Sequence, residues 1–198
     1  MSYLKIKRLI DIVISFLGLV MLSPVYLILI IAIKIDSIGP VLYRQRRVGI
    51  HETRFTKLKF RIMKVDTPRG IQTHLLENPD QYITRVGKFL RKTSLDKLPQ
   101  FINILKGEMS IIGPRPARSN QYDLINSRDM NGANGIRPGI TGWAQINDMD
   151  IATIEDEARF DGEYVEKIGF LMDVRCFFGA IISLLKRDWA KKYEGMDK

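Results

Sequence analysis

A 25-residue apolar run, Leu9–Ile33, opens this 198-residue chain and constrains its fold more than any other feature. At helical rise it would extend about 37 Å, enough to cross a bilayer. Ser23-Pro24 falls within it. Proline lacks an N–H and kinks a helix, and the pieces on either side are each too short to span. Both flanks are basic. Lys5, Lys7 and Arg8 precede the run; Lys34, Arg44, Arg46 and Arg47 follow it, against Asp36. The positive-inside tendency would keep both ends on the cytoplasmic side. A helix that enters, turns at Ser23-Pro24 and leaves on the same side satisfies both observations. A plain transmembrane helix is the alternative. A cleaved signal peptide fits poorly, because the run is long and no small-x-small site follows it. Asp11, near the entry, is expected at headgroup level or paired with Lys7 or Arg8.

The chain length suits one domain with its own core. The net charge of +9 points to an anionic partner: nucleic acid, a membrane surface or an anionic substrate. Nucleic acid gains no support, since zinc-finger spacing, an RNP-type aromatic motif and a basic-heptad pattern are all missing from the sequence. The single Cys176 excludes an intrachain disulfide framework and suits a reducing compartment. It lies in the apolar run CFFGAIISLL, where packing is its expected role. His51 and His74 are too few for a His-rich metal site and read as surface residues.

Val41–Arg47 and Arg54–Phe60 read as short strands around a turn at Gly49. In the second, Phe55, Lys57 and Lys59 alternate with Thr56, Leu58 and Phe60, which makes one face cationic near its end. Asp66–Gln81 reads as a polar surface loop and Tyr82–Lys92 as a short basic helix. A helix over residues 96–106 is expected to end at Gly107. A helix around Arg118–Asp129, a glycine-rich loop Arg137–Asn147 and an acidic helix Thr153–Lys167 follow. The last helix, Phe170–Trp189, either lies in a membrane interface or packs in the core. The expected fold class is mostly α with a small β element (α+β). Residues 1–36 form the membrane helix and residues 37–198 a compact domain.

Within Arg91–Pro116 one carboxylate, Asp96, stands at the start of an apolar helix. Thr93, Ser94 and Asp96 are all good N-cap types. With Ser94 as cap, Asp96 is the second helical residue; with Asp96 as cap, Pro99 falls in the tolerant first turn. Either arrangement sets the carboxylate at the positive end of the helix dipole and favours its ionised form. Such a carboxylate can bind Mg²⁺, attack phosphorus or simply cap the helix. Lys59, Arg61, Arg91, Lys92, Arg115 and Arg137 stand beside strands, turns and helix starts. Arg115 lies between two prolines, and guanidinium pairs with phosphate in a bidentate way. Together with a membrane anchor, these cations point to an anionic, lipid-linked substrate.

These residues also carry a family resemblance over nearly the whole chain. The KR-x-x-D start of the apolar segment, Ser23-Pro24, GPVLYRQRRVG (Gly39–Gly49), KFRIM (Lys59–Met63), TSLDKLPQFINILKGEMSIIGPRP (Thr93–Pro116) and RPGITGWAQIN (Arg137–Asn147) stand in order and spacing. The chain resembles the bacterial sugar transferases, the small monotopic phosphoglycosyl transferases. The resemblance implies a re-entrant helix and interfacial amphipathic helices on the cytoplasmic face of the bacterial inner membrane. It implies transfer of a sugar-1-phosphate from a UDP-sugar to undecaprenyl (polyprenyl) phosphate, with UMP released and Mg²⁺ required. This would be the first membrane step of surface-glycan synthesis. By position Asp96 matches the nucleophile that carries the phosphosugar and is the candidate metal ligand. Arg115 matches the phosphate-binding arginine. Lys59, Arg61 and Arg91 match basic positions near the site, and Asp161 and Asp173 match acidic positions with less defined roles. Membrane lipid, downstream glycosyltransferases and a second copy of the chain are the further partners that such an enzyme leaves open. Larger relatives carry an extra N-terminal domain and membrane spans, which the 198 residues are expected to lack.

Two positions depart from the family pattern. Lys97 replaces the glutamate that follows the nucleophile, which reverses a charge and removes a capping-box partner for Ser94. Asn147-Asp148-Met149-Asp150 replaces Asn-Gly-Arg-Asp. Three functional expectations follow: an active transferase in which Lys97 contacts a substrate phosphate; a catalytically impaired member that still binds membrane, donor or partners; and a basic membrane- or nucleic-acid-binding module of other descent.

Overall fold

A computed structural model describes residues 2–67, 81–147 and 153–194. His74, most of the Asp66–Gln81 segment and Asp148–Asp150 lie outside these residues. Among the described residues the architecture is mostly helical with two small sheets, as expected.

The apolar N-terminus forms two helices, α1 (Ser2–Met21) and α2 (Ser23–Asp36), bent by 62° at Leu22. Pro24 occupies the first turn of α2, where its missing N–H costs nothing within that helix but interrupts the ladder from α1. No single described helix is long and apolar enough to cross a membrane; the bent pair passes that test together.

The two faces of α1 are reversed relative to a soluble helix. Lys7, Asp11 and Ser15, spaced four apart, are buried, whereas Leu9, Val13, Phe16, Val20 and Met21 are exposed. The polar face docks the helix. Lys7 Nζ pairs with Asp173 Oδ2 at 2.5 Å, and Tyr3 donates to the same oxygen at 2.7 Å. Arg8 donates to the carbonyls of Ile104 and Leu105. Asp11 pairs with neither Lys7 nor Arg8 as expected; its Oδ1 accepts from the Ile111 N–H at 3.0 Å. The backbone at Ile111 supplies that donor, and Lys7 is committed elsewhere.

Strands β1 (Leu42–Val48) and β2 (Arg54–Phe60) form an antiparallel hairpin in which Tyr43 faces Lys59, Gln45 faces Lys57 and Arg47 faces Phe55. The turn needs more than Gly49, because His51 and Glu52 both take positive φ. Phe60 joins Leu29 and Ile33 of α2 and Leu90 of α3 (Arg85–Thr93) in one apolar cluster. Thr84 caps α3 by accepting from the Gly87 N–H at 2.9 Å.

The expected helix over 96–106 is shorter. Leu95–Lys97 is a 3-10 turn, and α4 runs only over Gln100–Leu105. Pro99 offers no N–H, so bonds of the tighter kind carry the chain past it: Leu98 N to Leu95 O and Phe101 N to Leu98 O. Neither cap expectation holds. Ser94 sits in the left-handed region at φ 57° and its side chain caps nothing.

Strand β3 (Ser110–Ile112) pairs in parallel with β4 (Gly139–Thr141). Between them comes α5 (Tyr122–Met130); after them come α6 (Trp143–Ile146), α7 (Ile154–Glu166) and α8 (Phe170–Glu194). Tyr164 of α7 and Met172 and Cys176 of α8 pack on Ile112. The outer side of α8 exposes Phe170, Leu171, Phe177, Phe178, Ile182 and Leu185. The helix therefore packs one side in the core, as one expectation had it, and leaves apolar side chains exposed on the other.

Candidate active site

Asp96 sits in the turn between α3 and α4 and is only 7% exposed. Its Oδ2 lies 3.5 Å from Lys59 Nζ on the neighbouring strand β2. Asn103 of α4 ties this strand to the helix that follows Asp96. Its amide oxygen accepts from the Leu58 N–H at 3.0 Å, and its Nδ2 donates to the Thr56 carbonyl at 2.8 Å. The side chain acts as a short extra strand on the outer edge of β2. It therefore fixes Lys57 and Lys59 against the segment that carries Asp96.

Lys57 shares the face of Lys59 and is buried. Burial pulls its ammonium well below the ordinary lysine range, and Lys59, Arg47, Arg115 and Lys97 push it further down. Burial also lowers Lys59, opposed by Asp96 and reinforced by Arg115 and Arg47. Burial brings Arg47 down to about 10, with Arg118 and Arg115 adding to the effect. Six cations, Lys57, Lys59, Lys97, Arg47, Arg115 and Arg118, thus share one field beside the buried Asp96 carboxylate. Lys97, the departure from the family pattern, belongs to this group.

The Pro-Arg-Pro turn is clamped by its backbone. Arg47 Nη1 donates to Pro116 O at 3.0 Å, Val48 N to Ala117 O at 3.0 Å, and Gly139 N to Pro114 O at 2.8 Å. Gly113 N donates to Thr141 O at 2.9 Å. The glycine-rich loop lies directly on this turn: a Cβ on Gly142 would stand 2.1 Å from Gly113 O, and one on Gly139 2.3 Å from Gly113 N. Glycine is required there by backbone contact. Arg115 itself stays exposed between buried prolines, its charge reaching Lys57 and Lys59.

A second brace comes from α5 and α7. Arg128 donates from Nη1 to Arg115 O at 2.9 Å, from Nε to Asp161 Oδ2 at 2.8 Å, and from Nη2 to Asp161 Oδ2 and Glu157 Oε1. Asp161 is 1% exposed, so it reaches the turn only through Arg128. Burial pushes its carboxyl up to about 6, against the pull of Arg128.

The other expected site residues have placements of their own. Arg61 spends Nη1 on Ile38 O and Nη2 on Ser37 O, and so ties β2 to the end of α2. Arg91 is exposed in the last turn of α3. Arg137 donates from Nε to Gly107 O, past the far end of α4 from Asp96. Asp173 holds Lys7, Tyr3 and Tyr164.

Arg128 and Asn103 escaped sequence reading. Asn103 left a signal, one amide inside the apolar stretch FINIL. Arg128 left none, because an arginine near a helix end normally reads as solvated. Cys176 is buried and its thiol is pushed up to about 12 by burial, so it offers no nucleophile.

Among the described residues no group of three or more His, Cys, Asp or Glu side chains converges on one point. A divalent cation here would have Asp96 as its protein carboxylate, with substrate phosphates completing its shell. That is a customary mode for Mg²⁺, which binds through one or two carboxylates plus phosphate oxygens.

Comparison with known proteins gives the family. The profile of the family described as bacterial sugar transferase matches residues 2–187. The chain is 42% identical over 182 residues to the UDP-glucose:undecaprenyl-phosphate glucose-1-phosphate transferase of Escherichia coli (strain K12), covering 87% of this chain and 39% of that protein. It is 36% identical over 194 residues to the UDP-N-acetylgalactosamine-undecaprenyl-phosphate N-acetylgalactosaminephosphotransferase of Aeromonas hydrophila, covering 92% and 44%. It is 35% identical over 189 residues to the exopolysaccharide production protein ExoY of Sinorhizobium fredii (strain NBRC 101917 / NGR234), covering 88% and 83%. The chain spans about two fifths or less of several of these relatives and four fifths of others. A family match over almost every residue leaves one conclusion: this chain belongs to the bacterial sugar transferase family.

Proposed function

We propose that this chain transfers a sugar-1-phosphate from a UDP-sugar to undecaprenyl phosphate at the cytoplasmic face of a bacterial membrane. The observation that carries the reading is Asp96, a buried carboxylate set 3.5 Å from Lys59 inside a field of cations. A buried acid with this many basic neighbours suits a reaction in which every reactant is a phosphate.

The reaction divides into two displacements. An Asp96 oxygen attacks the phosphorus that bears the sugar. The bond from that phosphorus to the bridging oxygen breaks, and UMP leaves with the electron pair. A phosphosugar ester of Asp96 remains. An oxygen of undecaprenyl phosphate then attacks the same phosphorus, and the Asp96 carboxylate leaves. The product is a sugar joined to undecaprenol through a diphosphate. One cation-rich pocket serves both steps, because both pass through a crowded anionic phosphorus. Lys59 holds Asp96 in place, and Lys57, Lys97 and Arg115 offset the phosphate charge. Mg²⁺, held by Asp96 and the substrate phosphates, would neutralise the diphosphate and the departing UMP.

The bent helix pair supports a re-entrant seating, with the apolar faces of α1 and α8 in lipid and the Asp96 centre at headgroup height. Both basic flanks of the pair would then remain on the cytoplasmic side.

Lys97 also favours a second reading, a member that binds donor and membrane without turnover. It replaces an acid beside Asp96 and adds a cation to the field at Lys57. UMP release by the detergent-solubilised protein with Mg²⁺, undecaprenyl phosphate and a panel of UDP-sugars separates the two. Release that vanishes in Asp96→Asn supports the transferase. Silence in the parent with release in Lys97→Glu supports the second reading.

A further inference from the structure

A cavity of about 50 Å³ lies between α1 and the strand-bearing domain, away from Asp96. Arg8, Arg137, Asp11 and Ser110 line it, with Leu4 and Ile168 at its apolar side. The Asp96 centre precedes α4, whereas Arg137 meets Gly107 beyond it, so the two stand at opposite ends of α4.

The walls of this cavity suit an anion. Lys7 is neutralised by Asp173, and the Asp11 Oδ1 is committed to the Ile111 N–H. Two guanidiniums then stand against one carboxylate, near enough for Arg137 to repel Arg8. The Arg137 bond uses only Nε, so its terminal amines are not hydrogen-bonded to the described residues. The Ser110 hydroxyl lines the cavity, is buried and has no hydrogen-bond partner. A phosphate would take the terminal amines of Arg137, accept from Ser110 and relieve the repulsion, Arg8 already giving its own terminal amines to the carbonyls of Ile104 and Leu105.

The rim of the cavity identifies the source. Leu4 of α1 is exposed there, and Ile168 leads directly into exposed Phe170 and Leu171 at the start of α8. A phosphate bound between the arginines would have apolar surface beside it on two elements. We propose that this cavity holds the phosphate of a membrane phospholipid and locks α1 to the domain, as a site separate from the Asp96 centre. The inference rests on the membrane seating proposed above but not on the transferase chemistry.

Native mass spectrometry of the detergent-solubilised full chain tests it, with phosphatidylglycerol, diacylglycerol and inorganic phosphate as probes. Phosphatidylglycerol should bind, diacylglycerol should not, and inorganic phosphate should bind more weakly. Arg137→Gln should weaken phosphatidylglycerol binding roughly tenfold or more, and Asp96→Asn should leave it unchanged. If Arg137→Gln does not fold, Arg137→Lys tests the same contact, because lysine keeps the charge and loses the fork; unchanged affinity there would overturn the site. Equal binding of diacylglycerol would remove the phosphate from the argument. Inorganic phosphate binding as tightly as the lipid would assign the cavity to free phosphate. Loss of lipid binding in Asp96→Asn would place the lipid in the catalytic centre instead.

Discussion

Arg128 donates to the carbonyl oxygen of Arg115 at 2.9 Å while two of its other nitrogens hold Asp161. A buried ion pair on α5 and α7 therefore sets the position of the exposed arginine at the Pro-Arg-Pro turn. The pair holds its charge where solvent cannot reach, and its useful output is the fixed backbone of that turn.

Arg128→Ala should leave Asp161 buried and uncompensated, at a cost of about 3–5 kcal/mol. Removing both partners, Arg128→Ala with Asp161→Ala, should cost less than the single change, since no buried charge is then orphaned. Thermal unfolding of the single and double variants checks the order. A double variant less stable than Arg128→Ala would contradict the role of the pair.

Asn103→Leu should remove the amide that bridges Leu58 N and Thr56 O on β2. Leaving those two backbone groups without partners should cost about 1–3 kcal/mol. UMP release should fall as well, because Lys57 and Lys59 lose their fixed place beside Asp96. Asn103→Leu with parental stability and turnover would show that α4 does not position the strand.

Lys57 sets stability against binding. Its folded pKa is depressed from the ordinary value of 10.5. Between the two values the unfolded chain keeps a proton that the folded chain has released. By linkage, its contribution makes stability rise with pH across that window. Lys57→Met should flatten that slope and stabilise the protein at neutral pH by about 1–2 kcal/mol, while weakening UDP-sugar binding. An anionic donor should raise the depressed lysines again, so binding should take up protons. Calorimetry in two buffers of different ionisation enthalpy reads that uptake directly; identical enthalpies would contradict it.

Pro24 tests the membrane seating. Cys176 is buried, so a cysteine introduced at the exposed Lys5 would be the only accessible thiol among the described residues. With both ends on the cytoplasmic side, that thiol should resist a membrane-impermeant reagent in intact cells. Pro24→Leu restores a helical N–H at the bend and should expose part of the population to the reagent. Labelling of the parent itself would rule out a re-entrant pair.

Much of this was legible in the sequence, and its failures have physical causes. Ser23-Pro24 foretold the bend because proline's missing N–H acts locally. The alternation Phe55, Lys57, Lys59 foretold strand β2 and its cationic face for the same reason. The helix at Asp96 was misjudged in extent, since Pro99 leaves a 3-10 turn and a helix of only Gln100–Leu105. The β3–β4 pairing was missed: its strands are three residues each, and what joins them is backbone contact at Gly113, Gly139 and Gly142. Arg61, Arg137 and Asp161 were grouped with Asp96 by charge and resemblance. Only three-dimensional contacts separate an arginine bound to carbonyls, like Arg61, from an exposed one whose charge reaches Lys57 and Lys59, like Arg115.

The phosphosugar ester on Asp96 is the central claim, and incubation with a UDP-sugar and Mg²⁺ in the absence of undecaprenyl phosphate isolates it. Peptide mass spectrometry would then follow the segment that carries Asp96. UMP release should be stoichiometric with protein and Asp96 should gain a sugar-phosphate mass increment, both lost in Asp96→Asn. UMP that appears only when undecaprenyl phosphate is also present, with no increment on Asp96 from an otherwise active protein, would contradict it.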